Sequence, residues 1–169
     1  LPRMIGFESG LSAFGDVYAW FKRLLCWPLR EILARTELVD AATRDRLIAQ
    51  TEEGIMEALT RGAAALPLRA EAPLAVDWLN GRRSPFTDNT LTGTLTGLDL
   101  STSAPEIYYA FAEATAFATK YILDHMRENG VRIDRLVGVG GISQKSPFVM
   151  QLLADVTGMR IDVSDCKQA

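Results

Sequence analysis

From Phe14 to Leu25, apolar residues recur at three- and four-residue steps (Phe14, Val17, Tyr18, Phe21, Leu24, Leu25). That spacing lays one stripe along a helix, predicted to run to about Trp27 before Pro28 stops or kinks it. A polar segment from Thr36 to Arg46 leads into a second stripe of Leu47, Ile48, Ile55, Met56 and Leu59. It predicts a helix ending near Gly62, with the acids at 52 and 53 on a solvated face. The period then changes. Leu74, Val76 and Trp78 alternate with Ala75, Asp77 and Leu79, which predicts a short strand, and Asn80-Gly81 predicts a turn after it. Alternating Thr and Leu with glycines over 90–97 read as extended chain or an edge strand. Ser103, Pro105 and Glu106 form a capping-box pattern that opens a long helix to about Glu128. Ile107, Phe111, Ala114, Ala118 and Ile122 share one face of it, and Asn129-Gly130 supplies a left-handed stop. The last third reads strand (134–139), glycine turn, helix (about 147–157), strand (160–163). Such a βαβ unit implies parallel pairing and a right-handed crossover. The predicted fold class is α/β, with helices packed on a sheet.

At 169 residues the chain suits one domain or a large fragment of one. Hydrophobic residues at 48% and charged ones at 23% are enough to build and solvate a core. A net charge of -3 argues against nucleic acid as a partner. No apolar run approaches the roughly 20 residues of a membrane span, and no signal peptide is visible, so a cytoplasmic location is expected. Cys26 and Cys166 have no metal-ligand spacing and read as free thiols in a reducing compartment. The single histidine, His125, excludes a His-rich metal site and suits a structural or exposed role. Starting at Leu1 and ending in "SDCKQA" just after a short strand, the chain is expected to be a piece of a longer protein.

Two stretches carry candidate chemistry. In "GVGGISQKSPFVMQ" (138–151) an apolar strand ends in glycines and a helix opens through Ser-Pro. Glycines there admit a close ligand or backbone, and the helix beyond offers unpaired N–H groups, as in nucleotide or phosphate sites of α/β sheets. A plain strand-to-helix turn is the alternative. In "GFESGLSAFGD", Glu8 and Asp16 bracket small residues at a helix entrance. An ionised carboxylate there could accept the hydroxyls of a polar substrate. On the residues alone a helix cap is favoured instead, with Ser9 or Ser12 capping and Asp16 complementing the first turn. Arg82-Arg83 could bind an anion, but a solvated loop is the preferred reading. There is no nucleophile–base pair, G-x-S-x-G elbow or Walker loop, so the glycine pair signals ligand contact rather than a reaction.

"ESGLSAFGDVYAWF", "VDWLNGRRSP", "EATAFATKYI" and "GGISQKSPFVMQLLADVTGMRIDV" resemble, in order, the C-terminal domain of the FGGY carbohydrate kinases, and within them the L-ribulokinases. The resemblance spans nearly the whole of 1–169 and implies an actin-like, ribonuclease-H-like ATPase domain, here incomplete. It implies phosphoryl transfer from MgATP, bound largely by this domain, to the terminal C5 hydroxyl of L-ribulose in a cleft between two domains. Gly140 and Gly141 match the family's adenosine motif, and Gln144, Lys145 and Ser146 lie where its polar residues contact base or ribose. Phe148, Met150 and Leu153 are expected to be core. Glu8 matches the carboxylate that ribulokinases extend to the sugar, with Gly10, Ser12 and Gly15 keeping that corner open; Leu11 stands where relatives often carry Gln. ATP and Mg²⁺ are the implied cofactors. The aspartate base, the phosphate loops and a closing helix are expected outside this chain, which alone should be inactive and should self-associate through exposed apolar surface. Another pentulose or pentitol (D-ribulose, ribitol, xylulose) is the alternative substrate, and a non-catalytic nucleotide-binding module the alternative class.

Overall fold

A computed structural model describes residues 6, 8–67 and 72–164. The first stripe forms helix α1 (Phe14–Leu25), which buries Val17, Tyr18 and Phe21. It ends before Pro28, which sits in the first turn of a separate short helix, α2 (Trp27–Glu31). A first-turn proline loses nothing, because the N–H it lacks has no partner within the helix. A 3₁₀ turn (Leu33–Arg35) leads to α3 (Ala41–Ala64), capped by Asp40, whose Oδ1 accepts Thr43 N–H at 3.0 Å. Bonds from Thr43 hold that carboxyl below the usual carboxylate range. The stripe of α3 is fully buried only near its end, at Leu59 and Ala63. Glu52, on the solvent-facing side as expected, also ties α3 to α2 through Arg30 Nε at 2.6 Å.

Strand β1 (Leu74–Val76) pairs antiparallel with β2 (Thr94–Thr96), Ala75 lying opposite Leu95. It is shorter than its alternation predicts because the chain turns at once, with Leu79 N–H donating to Asp77 O at 2.8 Å. Burial does not follow the alternation either: Leu74 and Leu79 are exposed, and Asp77, just past the strand, is buried.

Helix α4 (Ala104–Glu128) organises the core. Glu106 Oε2 accepts from Ser103 N–H at 2.7 Å and from its Oγ at 2.8 Å, and Gly130 past the end has φ +83°. The helix is buried around more than the predicted face, because α1, α3, β1 and the helix at 147–157 all pack on it. Tyr108, Ala112, Thr115 and Ala116 are therefore buried along with Phe111 and Ile122. The Tyr18 ring meets that of Tyr108 edge-on at 5.7 Å. Tyr18 Oη lies 2.7 Å from Thr115 Oγ1, which donates to Ala112 O at 2.9 Å. Tyr18 is thus the donor in the first bond, and burial pushes its phenol to a higher pKa. His125 packs its ring against Phe86 at 5.2 Å, a structural role. Cys26 is a buried free thiol, whereas Cys166 lies outside the described residues.

The βαβ unit is β3 (Leu136–Gly138), α5 (Gly141–Lys145), α6 (Pro147–Thr157) and β4 (Ile161–Val163). The two strands pair in parallel, Val137 opposite Asp162. Helix α5 stands where the sequence predicts only a glycine turn.

Candidate functional site

Between β3 and α5 the backbone takes a form that only glycine holds comfortably: Gly140 has φ +91° and ψ −176°. Gly141 then opens α5. A Cβ at either glycine would meet no atom within 4 Å, so both face open space. Ser143 Oγ fixes the turn by donating to Gly140 O at 2.7 Å.

Beyond this turn lies a groove of about 1260 Å³ between α1, α3, α4 and the α5–α6 corner. Gly15, Arg61, Tyr109, Gly141, Lys145 and Phe148 are among its lining residues. Phe148 stacks on Tyr108 (5.9 Å, 29° between planes) and meets Tyr109 edge-on at 5.6 Å. It is therefore half-buried groove wall as well as core. Leu153 is buried as expected. Lys145 is exposed at the groove and has no ion pair among the described residues. Ser146 lines the groove too, although its Oγ also caps α6 by accepting Val149 N–H at 3.4 Å. Gln144 turns away, its Nε2 donating to Ser164 O at 3.3 Å beside the end of β4. Three of the five motif residues, Gly141, Lys145 and Ser146, thus line the groove, and Gly140 sets the turn that leads into it.

Gly141 and Ile142 also line a second hollow, of about 620 Å³, which runs past Thr119 and Gly138 to Ser9. The Glu8 loop begins there. Neither Ser9 nor Ser12 caps α1: the cap position is Ala13, with no side-chain hydrogen bond. The small residues instead let the loop lie against residues 80–84. Glu8 Oε1 is 3.3 Å from Arg83 Nη2, Gly10 N–H donates to Ser84 Oγ at 3.2 Å, and Asn80 Nδ2 donates to Ser12 O at 3.4 Å. Asp16 sits exposed in the first turn of α1, as predicted. The arginine pair is more than solvated loop. Arg82 lies over the Trp78 ring at 5.1 Å and donates through Nε to Phe86 O at 2.7 Å.

Asp77 carries a signal that the sequence does not give. Only 7% exposed, it helps line a pocket of about 240 Å³ shared with Ser12, Trp78, Arg83 and Tyr121. Its carboxylate has no ion pair among the described residues, and burial pushes its pKa up to about 6. In a strand alternating apolar and polar residues, an aspartate reads as outward-facing, so nothing local marks it.

Among the described residues no three His, Cys, Asp or Glu side chains gather to hold a metal, and no helix is long and apolar enough to cross a membrane. The comparisons with known proteins all point one way. The C-terminal domain of the FGGY family of carbohydrate kinases matches residues 1–169. A ribulokinase of Vibrio parahaemolyticus is 39% identical over 168 residues, covering 99% of this chain and 29% of that protein. A ribulokinase of Bacillus licheniformis is 39% identical over 171 residues, covering 100% and 28%. The crystal structure of a xylulose kinase from Rhodospirillum rubrum superposes with a TM-score of 0.66 at 23% identity, over 90% of this chain and 26% of that one, a likeness of fold. The chain spans less than a third of the curated relatives' length. Its mixed helix-and-sheet architecture is that of the actin-like sugar kinases, and the chain belongs to the FGGY family of carbohydrate kinases, whose C-terminal domain it carries.

Proposed function

We propose that this chain is the nucleotide-binding part of a cytoplasmic ATP-dependent kinase that phosphorylates L-ribulose at its C5 hydroxyl. One observation carries the reading. Gly141 lines both the aromatic-walled groove and the hollow that reaches Ser9, so the two hollows adjoin at the glycine motif, one of them extending toward the Glu8 loop. The groove suits an adenine against Phe148 and Tyr109, with Lys145 at its mouth for ribose or phosphate oxygens. Gly140 and Gly141 both face open space, and Gly141 leaves the wall of the groove without a side chain. Glu8, 86% exposed at the far end, offers carboxylate oxygens to sugar hydroxyls. Bound MgATP would supply the phosphoryl group, its Mg²⁺ entering on the phosphates. The general base would come from the other domain, which makes this chain alone inactive. The name ribulokinase carried by the 39%-identical relatives favours a ribulose over xylulose and the pentitols.

The test is ADP release by the full-length protein given ATP, Mg²⁺ and a panel of ketopentoses and pentitols. L-Ribulose should be preferred, and Glu8→Ala should raise its KM. Gly141→Ala should raise the KM for ATP with little effect on folding, since an added Cβ meets no atom within 4 Å. Equal use of several sugars would overturn the substrate assignment. Absence of any sugar-dependent ADP release would leave a non-catalytic nucleotide-binding module. Turnover by residues 1–169 alone would refute the need for a second domain.

A further inference from the structure

We propose that Arg83 is a positioning residue for Glu8, fixing one carboxylate oxygen so that the other is presented to a sugar hydroxyl. This inference rests on the reading of Glu8 as the sugar-facing carboxylate. Left alone, Glu8 would be a poor recognition group. It lies on irregular chain before α1, its side chain is 86% exposed, and a free glutamate samples many rotamers. Binding a sugar would then carry the whole entropy of ordering it.

The structure provides the missing constraint from a segment 68–75 positions away in sequence. Three ties hold the 8–12 loop there: Glu8 Oε1 to Arg83 Nη2 at 3.3 Å, Gly10 N–H to Ser84 Oγ at 3.2 Å, and Asn80 Nδ2 to Ser12 O at 3.4 Å. Two of them grip backbone, so they place the loop, and the third places the side chain.

The platform itself is braced. Arg82 and Asp88 exchange both backbone bonds, at 2.9 and 2.8 Å, closing the loop between them. Gly81 is buried at φ +69°, where a Cβ would stand 2.7 Å from Asn89 Cα. Asp88 Oδ1 accepts from Thr90 N–H at 2.9 Å and from its Oγ1 at 2.6 Å, and Thr87 Oγ1 donates to Arg83 O at 2.6 Å. The two arginines divide the work. Arg82 is committed inside the loop, on the Trp78 ring and Phe86 O, which leaves Arg83 as the guanidinium that reaches outward.

The geometry of the pair matters as much as its presence. Only Oε1 meets the guanidinium, so Oε2 has no donor among the described residues and stays open to an O–H. A fork that gripped both oxygens would stabilise Glu8 better and use it up. Arg83 is itself 61% exposed, and a pair so wet contributes little to folding. Its removal should therefore be felt by the sugar and not by the fold.

The experiment compares Arg83→Ala, Arg83→Lys, Glu8→Ala and the double variant in the full-length enzyme, measuring kcat and KM for L-ribulose and for ATP, with melting temperature as control. Arg83→Ala should raise the sugar KM about two- to fivefold, the range open to an exposed charge pair, leaving the ATP KM and the melting temperature unchanged. Arg83→Lys should recover part of the loss, keeping the charge but not the planar fork. In the Glu8→Ala background, Arg83→Ala should add nothing. An Arg83→Ala effect that persists undiminished without Glu8, or an unchanged sugar KM while Glu8→Ala raises it, overturns the positioning role and spares the Glu8 reading. A fall in melting temperature matching the loss of activity would make Arg83 a structural residue and also overturn it. If Glu8→Ala itself leaves the sugar KM unchanged, the underlying reading fails and takes this inference with it.

Discussion

Asp77→Asn is expected to make the chain more stable at neutral pH and to leave its stability unchanged in acid. The residue is only 7% exposed, has no ion pair among the described residues, and has its carboxyl pKa raised by burial from 3.8 to about 6. An acid whose folded pKa lies above its unfolded value binds its proton more tightly in the native state. Below about pH 4 both states are protonated and the group is neutral in its effect. Between about pH 4 and 6 the unfolded chain has released a proton that the folded chain still holds, so stability falls as pH rises. Above about pH 6 the full penalty of a buried charge is in place. A rise from 3.8 to about 6, at about 1.4 kcal/mol per pKa unit, gives a penalty of at most about 3 kcal/mol.

Asparagine has nearly the shape of a protonated aspartate and no charge, so it removes the penalty without opening a cavity. Arg82, Arg83 and Tyr121 also line the pocket, and the charge of Asp77 reaches the Tyr18 hydroxyl, so none of these groups should be altered in the same experiment. Urea denaturation followed by tryptophan fluorescence suits the case, because Trp78 lines the same pocket. The variant should gain up to about 3 kcal/mol over the parent at pH 7.5 and almost nothing at pH 3. A difference that does not change with pH, or a variant less stable than the parent at pH 7.5, would refute the reasoning, since either means that Asp77 is solvated or paired in the folded protein.

Three further substitutions test the core and the glycine turn. Gly140→Ala should destabilise the chain by about 1–3 kcal/mol through backbone strain alone, because φ +91° with ψ −176° suits glycine while the space beside it is empty; denaturation curves would register it. Tyr18→Phe should cost about 1 kcal/mol, since Thr115 keeps its bond to Ala112 O, whereas Thr115→Val should cost about 1–3 kcal/mol by stranding the buried Tyr18 hydroxyl; the two variants are ranked by the same melts.

What the sequence made legible was whatever is specified within one turn or one strand. The start and stop of α4 are written in Ser103, Glu106 and Asn129-Gly130, and the start of α6 in Ser146-Pro147, because caps and left-handed stops are satisfied by near neighbours. What escaped was set by partners far along the chain. Glu52 looks solvated until α2 brings Arg30 beside it, and Asp77 looks outward until α4 and the 80–84 loop close around it. Arg82 and Arg83 look alike until one is folded over Trp78 and the other reaches Glu8. The same division runs through the site. The glycine pair and Glu8 stood out through family resemblance, yet each alone also fitted a bland reading, a turn in one case and a helix entrance in the other. Only the third dimension links them, because Gly141 lines both the aromatic groove and the hollow leading to Ser9. Two motifs at opposite ends of the chain thus border adjoining hollows, and the segment that meets Glu8 is supplied from the middle of the sequence between them.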